Sequence, residues 1–229
     1  MNPEVPLHSV VPSGLLLALA VVASPLAAQA GVDAVDRAVA AYEDMRSFRA
    51  TFEQRLENPL TGSTLRSRGE FLRRQPNLVA IRFVDPAGDR IVIDGKAVWL
   101  YLPSSNPKQA YRMPLGSAAA GTFDPAQLMA EPRKRFDISD SGVEMLDGRS
   151  TRVLTLVPKA SNGSAPFTSA KVWIDAKDAL IRQFEVTEST GLTRHIKLLS
   201  LEPNASVERS AFRFTPPKGV EVIDRTGGT

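Results

Sequence analysis

The segment IVIDGKAVWLYLP, residues 91–103, predicts a β-hairpin whose two faces are both apolar. Asp94 and Gly95 supply the two positive-φ positions that a type I′ turn requires. A hairpin with one solvent-exposed face would alternate apolar and polar residues. Here apolar residues run without interruption before the turn and again at 97–102. One face can enter a core under a helix, and the other either lines a ligand cavity or contacts a partner protein.

The amino terminus carries an uncharged apolar stretch at residues 15–23, followed by an A-x-A cleavage pattern that ends at Ala30. These features predict a secretory signal peptide that is removed before Gly31, although no Lys or Arg precedes the stretch. The stretch is too short for a membrane span, which needs about 20 apolar residues. We therefore expect a signal peptide at residues 1–30 and a single exported domain at residues 31–229.

Composition narrows the classes of function. The formal net charge is only +3 and the basic residues are dispersed among acidic ones, which argues against a nucleic-acid partner. The chain contains no cysteine. A bacterial lipoprotein carries its acyl chains on a cysteine at the cleavage site, so we expect a protein without a lipid anchor.

The exported part combines one strong helix with many short strands. Residues 33–46 carry an apolar stripe at helical spacing that includes Tyr42 and Met45. Beyond this helix the apolar period changes from 3.6 to 2, at residues 47–56 and again at 78–84. Further short strands follow, separated by turns rich in Gly, Pro, Asn and Asp. The pattern predicts a mainly β protein with a few helices, built as an antiparallel barrel or sandwich.

A short helix interrupts the strands in the middle of the chain. Asp124 and Pro125 form an N-cap followed by proline in the first helical position, and the helix PAQLMA stops before Pro132. Leu128 and Met129 lie on it, between a Gly-rich and a Pro-rich segment. This arrangement favours a lid over the barrel mouth, and an ordinary connecting helix is the equal alternative.

Catalytic motifs are missing from the sequence. There is no nucleophile elbow, zinc-binding helix, phosphate-binding loop or dinucleotide fingerprint. His195 is the one histidine after residue 30, so a histidine-based metal site cannot be built. We therefore predict no enzyme, no cofactor and no metal. The excess of apolar strand residues predicts instead a binding protein with an apolar cavity.

Five segments, in order along the exported part, resemble the LolA family of periplasmic lipoprotein carriers. They are SFRATFEQ (47–54), GEFLRRQPNLVAIRF (69–83), IVIDGKAVWLY (91–101), LTLVPKASN (154–162) and FRFTPPKGVEVID (212–224). The resemblance implies an incomplete, half-open antiparallel β-barrel that is covered by a helical lid, with an apolar cavity between them. It also implies acyl chains of lipoproteins as the ligand and no cofactor.

The resemblance implies partners and a way of holding the lid. The donor would be the inner-membrane lipoprotein-releasing ABC transporter and the acceptor the outer-membrane lipoprotein receptor, with the carrier a monomer in the periplasm. The family arginine that holds the lid shut is replaced here by Gln75, so Gln75 and the neighbouring Arg74 are the latch candidates. Arg74 can act only if the strand bulges, because a shift of one residue flips the face. A soluble sensor of lipid or envelope stress on the same architecture is the alternative function.

The strand LVAIRFV, residues 78–84, assigns the cavity face. Arg82 should reach water, so the alternate residues Val79, Ile81 and Phe83 are expected to point inward. The hairpin and the two helices complete the expected lining. The predicted acyl-chain contacts are Tyr42, Met45, Val79, Ile81, Phe83, Ile91, Ile93, Trp99, Leu128 and Met129.

Overall fold

The computed structural model describes residues 25–115, 124–159 and 167–227, with residues 25–29 described by their backbone alone. Its helices are α1 (Pro25–Glu43), α2 (Pro125–Met129), α3 (Pro132–Arg135) and a 3-10 helix (Arg209–Phe212). Its strands are β1 (Ser47–Asn58), β2 (Ser63–Arg74), β3 (Leu78–Asp85), β4 (Ala87–Asp94), β5 (Val98–Tyr101), β6 (Gln109–Met113), β7 (Phe136–Leu146), β8 (Arg149–Pro158), β9 (Ser169–Asp175), β10 (Ile181–Thr187), β11 (Thr193–Pro203) and β12 (Glu221–Asp224).

All strands of the described residues belong to one sheet, in the order β12-β6-β5-β4-β3-β2-β1-β11-β10-β9-β8-β7. Neighbours are antiparallel, except that β12 joins β6 in parallel. The two outermost strands, β12 and β7, are edges that do not pair with each other, so the sheet is not closed. The predicted class, mainly β with an incomplete antiparallel barrel and few helices, is confirmed.

The long β1–β2 hairpin shows how period 2 becomes two faces. Phe48, Ala50 and Phe52 are buried on one face of β1, while Thr51 and Glu53 on the other face are exposed. On β2 the register shifts beside Gly69, where a Cβ atom would lie 2.2 Å from the carbonyl oxygen of Arg82. Only glycine permits this approach of β2 to β3.

The sheet curls around one apolar cluster, which we call the interior cluster. It collects buried side chains from β1 to β5 and from β7 to β11, and it adds residues of α1 and α2. Its largest fully buried members include Phe48, Ile81, Met129, Leu154 and Phe184. Strands from both halves of the sheet could share one cluster only because the sheet is strongly curved.

A second apolar cluster, the outer cluster, lies on the opposite face of β2 to β5. Its buried members from the sheet are Leu72, Ala80 and Val92, and Trp99 packs against them. They are covered by residues 204–214, here called the outer segment, which contributes Val207, Ala211, Phe212 and Phe214. This segment answers the question raised by the hairpin: its second face is covered by the chain itself.

Several element boundaries differ from the predictions, and strand β6 and helix α3 were not predicted. The first helix begins at Pro25 rather than at residue 33, since PLAAQAGV consists largely of good helix formers behind a proline in the first position. It ends at Glu43, because the chain must turn there to enter β1. Strand β7 begins at Phe136, whereas the turn signals predict a strand only at about 143–146, and it pairs with β8 along its whole length.

A candidate ligand-binding interior

The inward face of β3 lies where the alternation predicted it. Val79 and Ile81 are 5% and 1% exposed, and both belong to the interior cluster. Phe83 is partly buried and packs against the same cluster, with its ring edge-on to Phe52 at a centroid distance of 5.6 Å. Arg82 is exposed on the other face. The polar position of Arg82 therefore predicted correctly which residues of β3 point inward.

Strand β4 extends this apolar face. Ile91 stands opposite Ile81, and Ile93 stands opposite Val79, so the four side chains form two cross-strand pairs on one face. Ile91 is buried in the interior cluster, and Ile93 packs against it. Such pairs between branched side chains are the unit that stabilises a sheet.

Helices supply the other wall of the interior. Tyr42 and Met45, which lie at and beyond the end of α1, share the interior cluster with Leu128 and Met129 of α2. The Tyr42 hydroxyl accepts a hydrogen bond of 3.2 Å from the backbone nitrogen of Ile181. Burial raises the pKa of this hydroxyl well above its ordinary value, so it stays neutral. All predicted wall residues from the helices thus meet the predicted residues from the sheet.

Trp99 is the exception, and its predicted place needs correction. It stands opposite Val92, not opposite Ile91 or Ile93, so it points to the other face of the sheet. There its ring packs against Phe214 at 5.5 Å, and its indole nitrogen donates to Asp94 at 2.9 Å. Because both faces of the hairpin are apolar, the sequence pattern contains no signal that separates them.

One ion pair joins the sheet to α2 inside the apolar interior. The Arg73 Nε atom lies 3.2 Å from Oδ2 of Asp124, and the two residues are 9% and 3% exposed. Oδ1 of Asp124 accepts from the backbone nitrogen of Ala126 at 2.9 Å and so caps α2. Burial raises the pKa of the Asp124 carboxyl, and the charge of Arg73 acts in the opposite direction. The pair therefore ties the first turn of α2 to β2.

The far end of the same helix is held by another arginine. The Nη1 atom of Arg135 donates to the carbonyl oxygens of Gln127 and Ala130, the latter at 3.1 Å. Its guanidinium also stacks over the ring of Phe136, 4.8 Å from the centroid. These contacts satisfy carbonyl groups that a five-residue helix leaves without partners.

Comparison with known proteins shows the family to which the chain belongs. The model of a family described as "Outer membrane lipoprotein carrier protein LolA" matches residues 43–215. The chain belongs to the LolA family. Outer-membrane lipoprotein carrier proteins of Salmonella paratyphi A and Salmonella typhi are 28% identical over 215 residues, which cover 92% of this chain and 98% of each relative.

The fold of this LolA family member also has a counterpart among solved structures. An uncharacterized conserved protein from Thermus thermophilus superposes with a TM-score of 0.53 at 18% identity, over 86% of this chain and 99% of the other. The likeness supports the fold. Members of the LolA family are periplasmic carriers of lipoproteins and not enzymes, so the predicted class of function is confirmed.

Within the described ranges, the two latch candidates, Arg74 and Gln75, are bonded to other parts of the chain and not to the proposed lid helix α2. The Arg74 Nη1 atom donates to the carbonyl oxygen of Val207 at 3.2 Å, in the outer segment. Gln75 Nε2 donates to the carbonyl oxygen of Glu43 at 3.1 Å, at the end of α1. Among the described residues neither is hydrogen-bonded to α2 or to its N-cap, whereas Arg73 forms an ion pair with the N-cap residue Asp124. Arg73 was not among the predicted site residues, although its position in phase with Phe71 places it on the inward face of β2.

Two remaining predictions concern the start of the exported chain and the lid. Ala30 and Gly31 lie inside α1, and a Cβ atom on Gly31 would come within 2.8 Å of Oδ2 of Asp140. The Gly-rich part of the predicted lid, residues 116–123, is outside the described residues.

Two further features are absent among the described residues. No cluster of acidic or histidine side chains there could hold a metal ion. The described helices include none that is long and apolar enough to cross a membrane.

Proposed function

We propose that this LolA family member binds the acyl chains of lipoproteins in the space now filled by the interior cluster. The observation that carries the proposal is that one apolar cluster is shared between a curved sheet and a five-residue helix, α2. Displacing α2 would uncover Val79, Ile81 and Met129 without breaking any strand pair. The proposed contacts are the interior residues Tyr42, Met45, Val79, Ile81, Phe83, Ile91, Ile93, Leu128 and Met129.

The energetics explain why such an interior is needed. Each CH₂ group removed from water contributes about 0.8 kcal/mol, so a protein with several acyl chains leaves a bilayer only if another apolar environment receives them. A carrier must also release its cargo. An interior that fills itself when empty does this, because the closing of α2 onto the sheet offsets part of the free energy that is lost when the chains depart.

The partners and location follow from the same proposal. The cargo would come from the inner-membrane lipoprotein-releasing ABC transporter and pass to the outer-membrane lipoprotein receptor, with this protein a monomer in the periplasm. We further propose export by a signal peptide, residues 1–30, that is cut between Ala30 and Gly31, which leaves one domain at residues 31–229. N-terminal sequencing of the periplasmic protein tests this cut, and a membrane-bound form that keeps residues 15–23 would contradict it.

A release assay tests the carrier proposal. Spheroplasts that hold a newly made outer-membrane lipoprotein are incubated with the purified protein, and mass spectrometry identifies acylated protein in the soluble complex. The wild type should release the lipoprotein, and Ile81→Glu should not, because its charge lies in the proposed cavity. Val84→Glu is the matched control, since Val84 on the same strand is 61% exposed. Equal release by all three proteins, or none by the wild type, would contradict the proposal.

A further inference from the structure

Arg73 is a buried cation on the apolar inward face of β2, and one of its N–H donors has no hydrogen-bond acceptor. It stands opposite Phe48 on one side and opposite Val79 on the other, so its stem is surrounded by members of the interior cluster. Its Nε atom bonds to Asp124, but its buried Nη1 atom has no hydrogen-bond partner. A buried polar group without a partner is rare in folded proteins and requires an explanation.

Other buried polar groups of the same face are paired. The Nε2 atom of Gln54 donates to Ser67 Oγ at 2.9 Å, and its Oε1 atom accepts from Arg194 at 3.0 Å. These residues lie toward the other end of the β1–β2 hairpin, where they are in register with each other and with β11. Arg73 is therefore distinguished from them by the unused Nη1 atom.

Movement of α2 away from the sheet would remove a further hydrogen-bond partner from Arg73. Asp124 caps α2 through Ala126, so the carboxylate has to leave Arg73 when the helix lifts away. Once acyl chains fill the opened interior and exclude water, the guanidinium would stand on the apolar face with neither its carboxylate nor any other acceptor. A charge that loses its partner in an apolar site is strongly destabilising, so the loaded form needs an acceptor that arrives with the ligand.

We propose that Arg73 receives the carbonyl oxygen at the head of a bound acyl chain, with Nη1 as the donor and Nε joining when Asp124 departs. The inference rests on the proposed acyl-chain binding and names the ligand group that orients the chain. Every acyl group has this oxygen, whether an ester or an amide links it. The hydrocarbon tail would then start beside Phe48 and Phe71, whose rings stack at 5.1 Å, and continue along β3. Asp124 occupies in the closed form the place that the carbonyl takes in the loaded form.

Matched ligands test this assignment. A long-chain fatty acyl methyl ester and the alkyl methyl ether of equal length differ only by the carbonyl oxygen, and each is titrated against the purified chain by displacement of an apolar fluorescent dye. The wild type should bind the ester about tenfold to a hundredfold more tightly than the ether, the factor that a hydrogen bond to a charged donor provides. Arg73→Met should bind both with similar affinity, and Arg73→Lys should keep part of the preference.

Asp124→Asn is the matched control, because it removes the same ion pair but leaves Arg73 in place. It should keep the preference for the ester even if its affinity for both ligands changes. Equal binding of ester and ether by the wild type would overturn the inference and leave the proposed carrier function intact, whereas binding of neither ligand would overturn both. Persistence of the preference in Arg73→Met would also overturn it.

A measurement on the wild type alone guards against variants that do not fold. The infrared band of an ester labelled with ¹³C at its carbonyl should move to lower frequency in the complex than in a hydrocarbon solvent, because the oxygen accepts from a cation. A band at the hydrocarbon position would contradict the inference.

Discussion

The two faces of strands β2 to β5 carry apolar layers of similar composition but with different kinds of cover. On the inward face, Ile81 and its neighbours share the interior cluster with the short helix α2 and the end of α1. On the opposite face, Ala80 and Val92 lie under the outer segment, residues 204–214, with Phe212 at its centre. Adjacent residues of a single strand thus enter two different environments.

The difference lies in how each cover is attached. The outer segment runs directly from β11 and is bonded at several points, among them Ser47 Oγ to the carbonyl of Ala205 at 2.7 Å and Arg74 to Val207 at 3.2 Å. Strand β12, which follows it, is itself part of the sheet. Helix α2 is joined to the sheet by one ion pair, between Arg73 of β2 and its N-cap Asp124, and its other end is held by Arg135 of α3 rather than by a strand. Because apolar burial is the same on both faces, we expect the attachment of the cover to decide which core can open.

The largest expected effect comes from charging neighbouring residues of β3. Ala80→Glu should lower the free energy of unfolding by roughly 5 kcal/mol, because a larger, charged side chain is held under the fixed outer segment. Ile81→Glu should lower it much less, since displacement of α2 lets the carboxylate reach water. Urea denaturation of both variants measures the difference. Equal losses would mean that the interior is as permanent as the outer cluster.

The next largest effect on the free energy of unfolding should come from truncating one buried side chain in the outer segment and one in α2. Phe212→Ala should lower the free energy of unfolding by about 4 kcal/mol, as expected for a fully buried aromatic residue that leaves a cavity. Met129→Ala should cost about 1 kcal/mol, because α2 can reseat or detach without unfolding the sheet. Thermal and urea unfolding measure both. A loss for Met129→Ala as large as that for Phe212→Ala would show that α2 belongs to the global cooperative unit.

Removal of the α2 attachment should act locally. Asp124→Ala deletes a charge-assisted hydrogen bond worth about 2 kcal/mol, so the amides of residues 126–129 should exchange with solvent roughly thirtyfold faster. Hydrogen exchange followed by mass spectrometry makes the comparison, and the midpoint of global unfolding should hardly move. Arg74→Ala is the control, since it loses its bond to the outer segment instead. Unchanged exchange in Asp124→Ala would show that another contact holds the helix.

The smallest expected effect is on stability at low pH, and it comes from Asp224 of β12, the strand that follows the outer segment. Bonds from Thr226 and the charge of Arg112 hold the pKa of Asp224 at about 2, below its ordinary value of 3.8. The unfolded chain thus binds this proton first, and the stabilisation is present above about pH 4 and lost as the pH falls through 2. Asp224→Asn should flatten the decline of the unfolding midpoint over this range. An unchanged decline would exclude Asp224 as its source.

Most of the architecture could be predicted from local patterns. Alternation on β1 and β3 and the stripe that contains Tyr42 and Met45 each depend on residues close in sequence, where steric periodicity controls the direction of side chains. The hairpin also turns where predicted, but its predicted type I′ geometry is wrong: Gly95 has a positive φ of 88° and Asp94 does not, because Asp94 still pairs with Leu78 as the last residue of β4. One charged residue, Arg82, was enough to orient β3. The family resemblance then connected these elements to a curved, unclosed sheet.

The sequence by itself determined most of the strands, the apolar excess and the carrier family, because these follow from local periodicity and from motifs in order. Tertiary structure alone decided which face of the hairpin is which, since Val98 and Trp99 are equally apolar and only the register with β4 separates them. It also decided that Arg73, and not Arg74 or Gln75, meets α2. Asp124 lies 51 positions further along the chain, and no local pattern reports a contact made by the folding of the sheet around its own interior.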